Sequence, residues 1–348
     1  MSGAEPEPVA HGGDLDAAAR GFPDAPLPWI DLSTGINPNP YPVPPLDTAL
    51  WAQLPQASSE EALRQAGRRR YGVPERAEIV AAPGTQALIQ SLPRLLPPGK
   101  TAVLSPTYSE HAIAWRREGH EVAEIAELDE IGDAKAVIVV NPNNPTGRIT
   151  PLFTLHALAE ELGARGGLLV VDEAFADAMA EPVSLVPELP RGTVVLRSFG
   201  KMYGLAGLRL GFAIAHAQEA APLQQAFGRW SVAAPALSVG TAALADDAWL
   251  EEARVSLAAG ADRLDEMLTE AGLEILGGTP LFRLAAHEKA GDIAAHLGVA
   301  GIYLRQFPAY PRWLRFGLPG PEAEWQRLAA ALQDLPAKLA ALSGLQPS

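Results

Sequence analysis

Lys201 stands in "RSFGKMYGLAGLRLGF", residues 197–212, where four glycines and two short apolar runs surround one ammonium. An amine in such a setting is poorly solvated, and desolvation beside other cations weakens its hold on a proton. It becomes a nucleophile toward a carbonyl. Ser198 precedes it by three residues and Arg209 follows by eight, a hydroxyl and a guanidinium of the kind that grips a phosphate monoester. Asp172 ends the apolar run "LLVVD", which places its carboxylate at the carboxyl edge of a buried strand. Alone it reads as a helix or turn cap or as a buried charge that wants a cationic partner. Asn144 lies in "NPNNPTG", either a plain Pro/Asn turn or an amide held against a ligand. In "PGTQALI" the backbone amides of Gly84, Thr85 and Gln86 cap a helix or face an anion at its N-terminus. Amine, phosphate cup, buried carboxylate and amide together describe what one cofactor needs, pyridoxal 5'-phosphate.

Other chemistries lack support. The chain has no cysteine, so thiolate catalysis, disulfides and Cys-ligated zinc are excluded. No P-loop, HExxH or EF-hand pattern occurs, and no metal is expected. The formal net charge of -14 over 348 residues, with no basic run at either end, argues against nucleic acid as a partner. Anionic ligands must therefore meet local cations. The longest apolar runs, such as "AVIVV" and "GLLVV", are too short to span a bilayer, and "MSGAEPEPVAHGGD" has no apolar signal-like core. A cytoplasmic protein without membrane contact is the expectation.

The elements that must position these residues follow from hydrophobic pattern. Strand-like runs at "EIV", "TAVLS", "EVAEIA", "AVIVV", "GLLVVD", "TVVLR" and "LGFAIA" alternate with helical segments such as "TQALIQSLPRLL", "SEHAIAWRREG" and "LFTLHALAEELGARG". This predicts an α/β fold with a mostly parallel sheet between helices. Ser58 with Glu61 reads as a capping box opening a helix through "EALRQAGRRR", whose terminal arginines 68–70 are expected to be solvated. The Pro-rich segment 37–45 is extended. After about residue 237 a long Ala/Leu-rich helical stretch leads to strands near "LEIL", "LFRLA", "GIYL" and "WLRFGL" and a last helix, a smaller α+β domain. The expected organisation is an arm over 1–45 packing with the small domain, a large domain over 46–236 and the small domain over 237–348. Trp29, Trp51, Trp115, Trp230 and Trp313 read as packing residues.

The ordered set "NPNNPTG", "VVDEAF" and "SFGKMYGLAGLRLGF" resembles the fold-type I pyridoxal-phosphate enzymes of the class I/II aminotransferase group. The resemblance implies that Lys201 carries the cofactor's aldehyde and Asp172 pairs with its pyridinium nitrogen. It implies that Asn144 bonds the ring hydroxyl and that Gly84, Thr85, Gln86, Ser198 and Arg209 hold the phosphate. Tyr108, in "SPTYSEH", falls where the group places an aromatic on the ring face, though core packing explains it equally well. Arg315, in "WLRFGLP", matches an arginine that grips a substrate carboxylate. Two departures stand out: Phe175 replaces a tyrosine that would offer a phenolic donor, and Leu54 occupies the place of a tyrosine that reaches a neighbouring subunit's cofactor. The group implies a homodimer.

"HGGDLDAAARGFPDAPLPWIDLSTGINPNPYP" and "LRQFPAYPRWLRFGLP" are similar to threonine-phosphate decarboxylases of cobalamin biosynthesis, relatives of the histidinol-phosphate aminotransferases. That resemblance implies decarboxylation of a small phosphorylated amino acid, O-phospho-L-threonine, with transamination as the alternative. The cofactor is the electron sink in both, and the bond at Cα held perpendicular to the ring is the one that breaks. Arg315 and Arg305 are candidates for the substrate's two anionic ends, with His11, Gly12 and Gly13 as further contacts.

Overall fold

The computed structural model describes residues 12–343, with side chains through Leu335. The chain divides into two units, one of residues 36–260 and 277–281, the other of residues up to 35, 261–276 and from 282 on. The strands in chain order are β1 (Ile30–Asp31), β2 (Ala77–Ala82), β3 (Lys100–Leu104), β4 (Glu121–Ile125), β5 (Ala136–Val140), β6 (Leu168–Asp172) and β7 (Thr193–Ser198). They continue as β8 (Gly211–His216), β9 (Glu274–Thr279), β10 (Phe282–Ala286), β11 (Ile302–Tyr303), β12 (Arg305–Gln306) and β13 (Trp313–Gly317).

The larger unit is built on a seven-stranded sheet ordered β2-β8-β7-β6-β5-β3-β4. Neighbours from β7 through β4 run parallel, while β8 is antiparallel to both β7 and β2. The central strands β5, β6, β7 and β8 are buried at every position, so they read in sequence as continuous apolar runs rather than alternating ones. Helices Thr85–Ser91, Glu110–Arg117 and Leu152–Ala164 form the crossovers. One face of the sheet packs on a cluster that includes Val103, Trp115, Ile138, Val170 and Leu196.

Apart from the large sheet, β12-β13-β10-β9 form a four-stranded antiparallel sheet, and β1 pairs in parallel with β11. No helix among the described residues is long and apolar enough to cross a membrane.

Local expectations differ from the structure in three places. The helix over Ala57–Tyr71 is capped by Gln56, with Ser58 inside its first turn, and no side-chain cap bond forms. Of the three arginines at its end only Arg69 is exposed, because Arg68 donates to the carbonyls of Ala77 and Pro74 and Arg70 to that of Leu244. Trp115 is fully buried as expected, but Trp51 and Trp230 are 71% and 51% exposed. An indole's hydrophobicity does not reveal which surface will cover it.

Candidate active site

Strand direction gathers the candidate residues of the larger unit at one edge of its sheet. Gly84 follows β2, Tyr108 follows β3, Asn144 follows β5, Asp172 ends β6, and Ser198 ends β7 just before Lys201. Arg209 enters β8, which runs the other way and so begins at the same edge. Open parallel sheets bind ligands at their carboxyl edge because the loops there are free to vary over a rigid support.

Asp172 is 4% exposed, and both of its oxygens are engaged. Oδ2 lies 2.9 Å from His111 Nε2, and Oδ1 accepts from the Ala174 amide at 3.0 Å. His111 is fully buried, and its Nδ1 has no hydrogen-bond partner among the described residues. A proton on Nε2 satisfies the carboxylate and leaves only a lone pair at Nδ1, whereas a second N–H there would be buried without an acceptor. His111 did not enter the sequence expectations. Its signal was present: with Ala114 and Trp115 it forms the apolar stripe of one helix.

Lys201 sits in a four-residue helix, Phe199–Met202, with its Nζ 5.6 Å from the centre of the Phe175 ring. Asn37 supports this short helix from the chain's extended segment. Its amide donates to the Lys201 carbonyl and its side chain to that of Met202, both at 2.9 Å.

The expected phosphate holders come together. Ser198 is the register partner of Gly211, and a side chain at Gly211 would meet the Thr85 amide at 2.6 Å. Gly84 has φ 88°, and a Cβ there would lie 2.6 Å from Arg209 Nη2. Only glycine lets the guanidinium lie over this helix entry. The side chain of Gln86 is committed elsewhere: it donates to Glu110 at 2.5 Å and accepts from the Tyr108 hydroxyl at 3.2 Å. Tyr108 also meets the His111 ring edge-on, with centroids 6.2 Å apart. Asn144 is half-buried in a loop tied to the Tyr108 turn, since Asn143 donates to the Pro106 carbonyl and accepts from Thr107.

The smaller unit holds a second group. Arg305 and Arg315 are direct register partners on β12 and β13, which puts two cations side by side. Arg315 is 7% exposed and donates to the Ser33 carbonyl at 2.6 Å, with its guanidinium 5.3 Å from the Phe282 ring. Burial first, then Arg305, pulls its pKa down to about 10, with Asp31 opposing. Ser33 Oγ donates to Asp31 at 2.5 Å and accepts from the Gly13 amide at 2.7 Å, so the Gly12–Gly13 turn is anchored to the same serine. His11 lies outside the described residues.

Comparison with known proteins decides the family. The profile of aminotransferase class I and II matches residues 47–332. The chain belongs to that family. It is 42% identical over 328 residues to a threonine-phosphate decarboxylase of Pseudomonas aeruginosa, covering 93% of this chain and 97% of that protein. It is 31% identical over 337 residues to histidinol-phosphate aminotransferase 1 of Bradyrhizobium diazoefficiens, covering 88% and 94%. A solved histidinol-phosphate aminotransferase of Sinorhizobium meliloti, in complex with pyridoxal-5'-phosphate, superposes with a TM-score of 0.80 at 21% identity, covering 98% and 99%. Pyridoxal phosphate, the family's cofactor, suits the donor set at the sheet edge. A buried carboxylate fixed by histidine, a lysine amine and an arginine lying on a side-chain-free helix entry are its three chemical requirements.

Proposed function

We propose that this protein removes carbon dioxide from O-phospho-L-threonine, releasing aminopropanol phosphate for cobalamin biosynthesis. The observation that carries the reading is 42% identity to a threonine-phosphate decarboxylase over nearly the whole of both chains, against 31% to an aminotransferase. The enzyme class follows from the family and this likeness together.

When bound, pyridoxal phosphate withdraws the electron pair left at Cα as a bond there breaks. Asp172, with both oxygens held by His111 and the Ala174 amide, keeps a proton on the pyridinium nitrogen. Lys201 would carry the cofactor, and its amine would supply the proton that replaces carbon dioxide at Cα. Ser198, Arg209 and the amides of Gly84, Thr85 and Gln86 would hold the cofactor phosphate, and Asn144 would meet the ring hydroxyl. Tyr108, braced by Gln86, would cover the ring face. Gly12, Gly13 and His11 contribute to the substrate end. Arg315 and Arg305 bind the substrate's two anionic groups, and their adjacency on β12 and β13 suits a doubly anionic amino acid. A cytoplasmic homodimer is part of the reading, and light scattering should find twice the chain's 36.7 kDa.

The deciding assay supplies O-phospho-L-threonine to the purified holoenzyme. Carbon dioxide release without any 2-oxo acid is expected. Amino transfer to 2-oxoglutarate with no carbon dioxide would replace this reading by the aminotransferase one.

A further inference from the structure

Behind the cofactor edge lies a group of charges that the proposed chemistry does not use. Side chains alternate along β7, so Arg197 projects opposite to Ser198, and Glu173, whose amide extends the β6 pairing to Leu196, projects opposite to Asp172. On that far side Arg197 Nη1 donates to Glu173 Oε2 at 2.7 Å, and Nη2 donates to Asp177. All three residues are at most 5% exposed. The Arg197 guanidinium also lies 4.6 Å from the centre of the Tyr71 ring. Glu173 Oε1 accepts from the Leu185 amide, and the Asp177 carbonyl accepts from Arg254 Nε, both at 2.8 Å. Burial works against the charge on Arg197, but the Asp177 and Glu173 carboxylates outweigh it and hold its pKa above the ordinary arginine value.

A desolvated ion cluster is a poor source of stability, because well-packed apolar side chains of equal volume do as well or better. Its position suggests another role. The ladder between β6 and β7 ends where the Glu173 amide donates to the Leu196 carbonyl at 2.9 Å. Beyond that bond the chain after Asp172 turns out of the sheet, while β7 runs on through Ser198, paired with β8, before entering the Lys201 helix. The guanidinium fork spans the gap where backbone pairing stops.

We propose that Arg197, held by Glu173 and Asp177, is a positioning residue that fixes the spacing between Asp172 and the Lys201 helix. The inference rests on the pyridoxal-phosphate reading of those two residues. A loosened clamp lets carboxylate and amine drift independently, and groups acting on two parts of one rigid cofactor tolerate little drift.

The test uses the holoenzyme with Glu173→Gln and Arg197→Lys. Glu173→Gln keeps volume and an acceptor for the Leu185 amide but removes the charge. Arg197→Lys keeps the charge but lacks the fork that reaches two carboxylates at once. Both variants should retain wild-type far-UV circular dichroism. Their affinity for pyridoxal phosphate, titrated by visible absorbance, should weaken about tenfold, and kcat should fall about tenfold with KM within about twofold. The visible circular dichroism of bound cofactor should diminish. If the variants melt earlier yet keep wild-type cofactor affinity, visible dichroism and kcat, the clamp is structural only and the proposal is overturned. Should Arg197→Lys not fold, Glu173→Gln decides alone. A wild-type protein without a visible cofactor band would overturn the cofactor reading itself, a result separable from the variants.

Discussion

At the scale of single residues, the site depends on groups that hold other groups. His111 has no place in the bond chemistry, yet it anchors one oxygen of Asp172. Hydrogen bonds to charged groups contribute roughly 1.5–3 kcal/mol, so His111→Asn should lower kcat by about tenfold or more while leaving substrate KM near wild type. Steady-state kinetics at saturating cofactor check this, and an unchanged kcat would remove His111 from the machinery. Arg315 behaves differently. Its pKa is lowered to about 10, chiefly by burial, so the fold disfavours its charge. That penalty is fully present below the folded pKa and relaxes only as pH rises through about 10. At neutral pH, Arg315→Met should therefore keep folding stability within about 1 kcal/mol of wild type or raise it, while substrate KM rises at least about tenfold. Denaturant unfolding and kinetics give the two numbers, and a strongly destabilised variant with normal KM would contradict the assignment. Lys201, Asp172 and Arg315 were legible because each interrupts an apolar run. His111 was not singled out, because a helix's apolar stripe accommodates a histidine without saying what the ring meets.

At the scale of elements, the helix that carries Lys201 has only four residues and cannot persist alone, since nucleation outweighs so few hydrogen bonds. Its support comes from far away in sequence. Asn37 meets its last carbonyls, the Tyr41 amide donates to the Tyr203 carbonyl, and Tyr203 is stacked between Phe199 and Trp249. Gly204, where a Cβ would collide with Asn37 and Pro40, allows the extended segment to pass so close. Asn37→Ala leaves the Met202 carbonyl without that donor, and about 1–2 kcal/mol of stability should be lost. Cofactor affinity should fall with it, because the lysine's support is shared. Melting of apo and holo forms separates the two effects, and equal losses in both would confine Asn37 to stability. The central strands β5, β6, β7 and β8 were legible, since full burial makes each a near-continuous apolar run. The cap of Ala57–Tyr71 was not, because Ser58 and Glu61 satisfy the capping pattern two residues beyond the Gln56 cap, where the chain bends.

At the scale of the whole molecule, a chain of net charge -14 is proposed to bind an anionic cofactor and a doubly anionic substrate. Local cations must therefore overcome a repulsive surrounding field. A cofactor that binds only the native state also stabilises it, by about 2.7 kcal/mol at a hundredfold excess over Kd. Holo and apo melting should differ accordingly, with a smaller gap in Lys201→Ala, and identical melting would deny that cofactor binding is coupled to the fold. The sequence by itself determined the fold class and the family, because these depend on burial pattern and on residue types at strand ends, both local properties. Only the tertiary structure decided who orients whom. The His111 contact to Asp172, the Arg197 bridge to Glu173 and Asp177, and the seat of Asn37 on the lysine helix join residues 20 to 165 positions apart. No local pattern encodes such pairings, since each partner alone satisfies its own element equally well without the other.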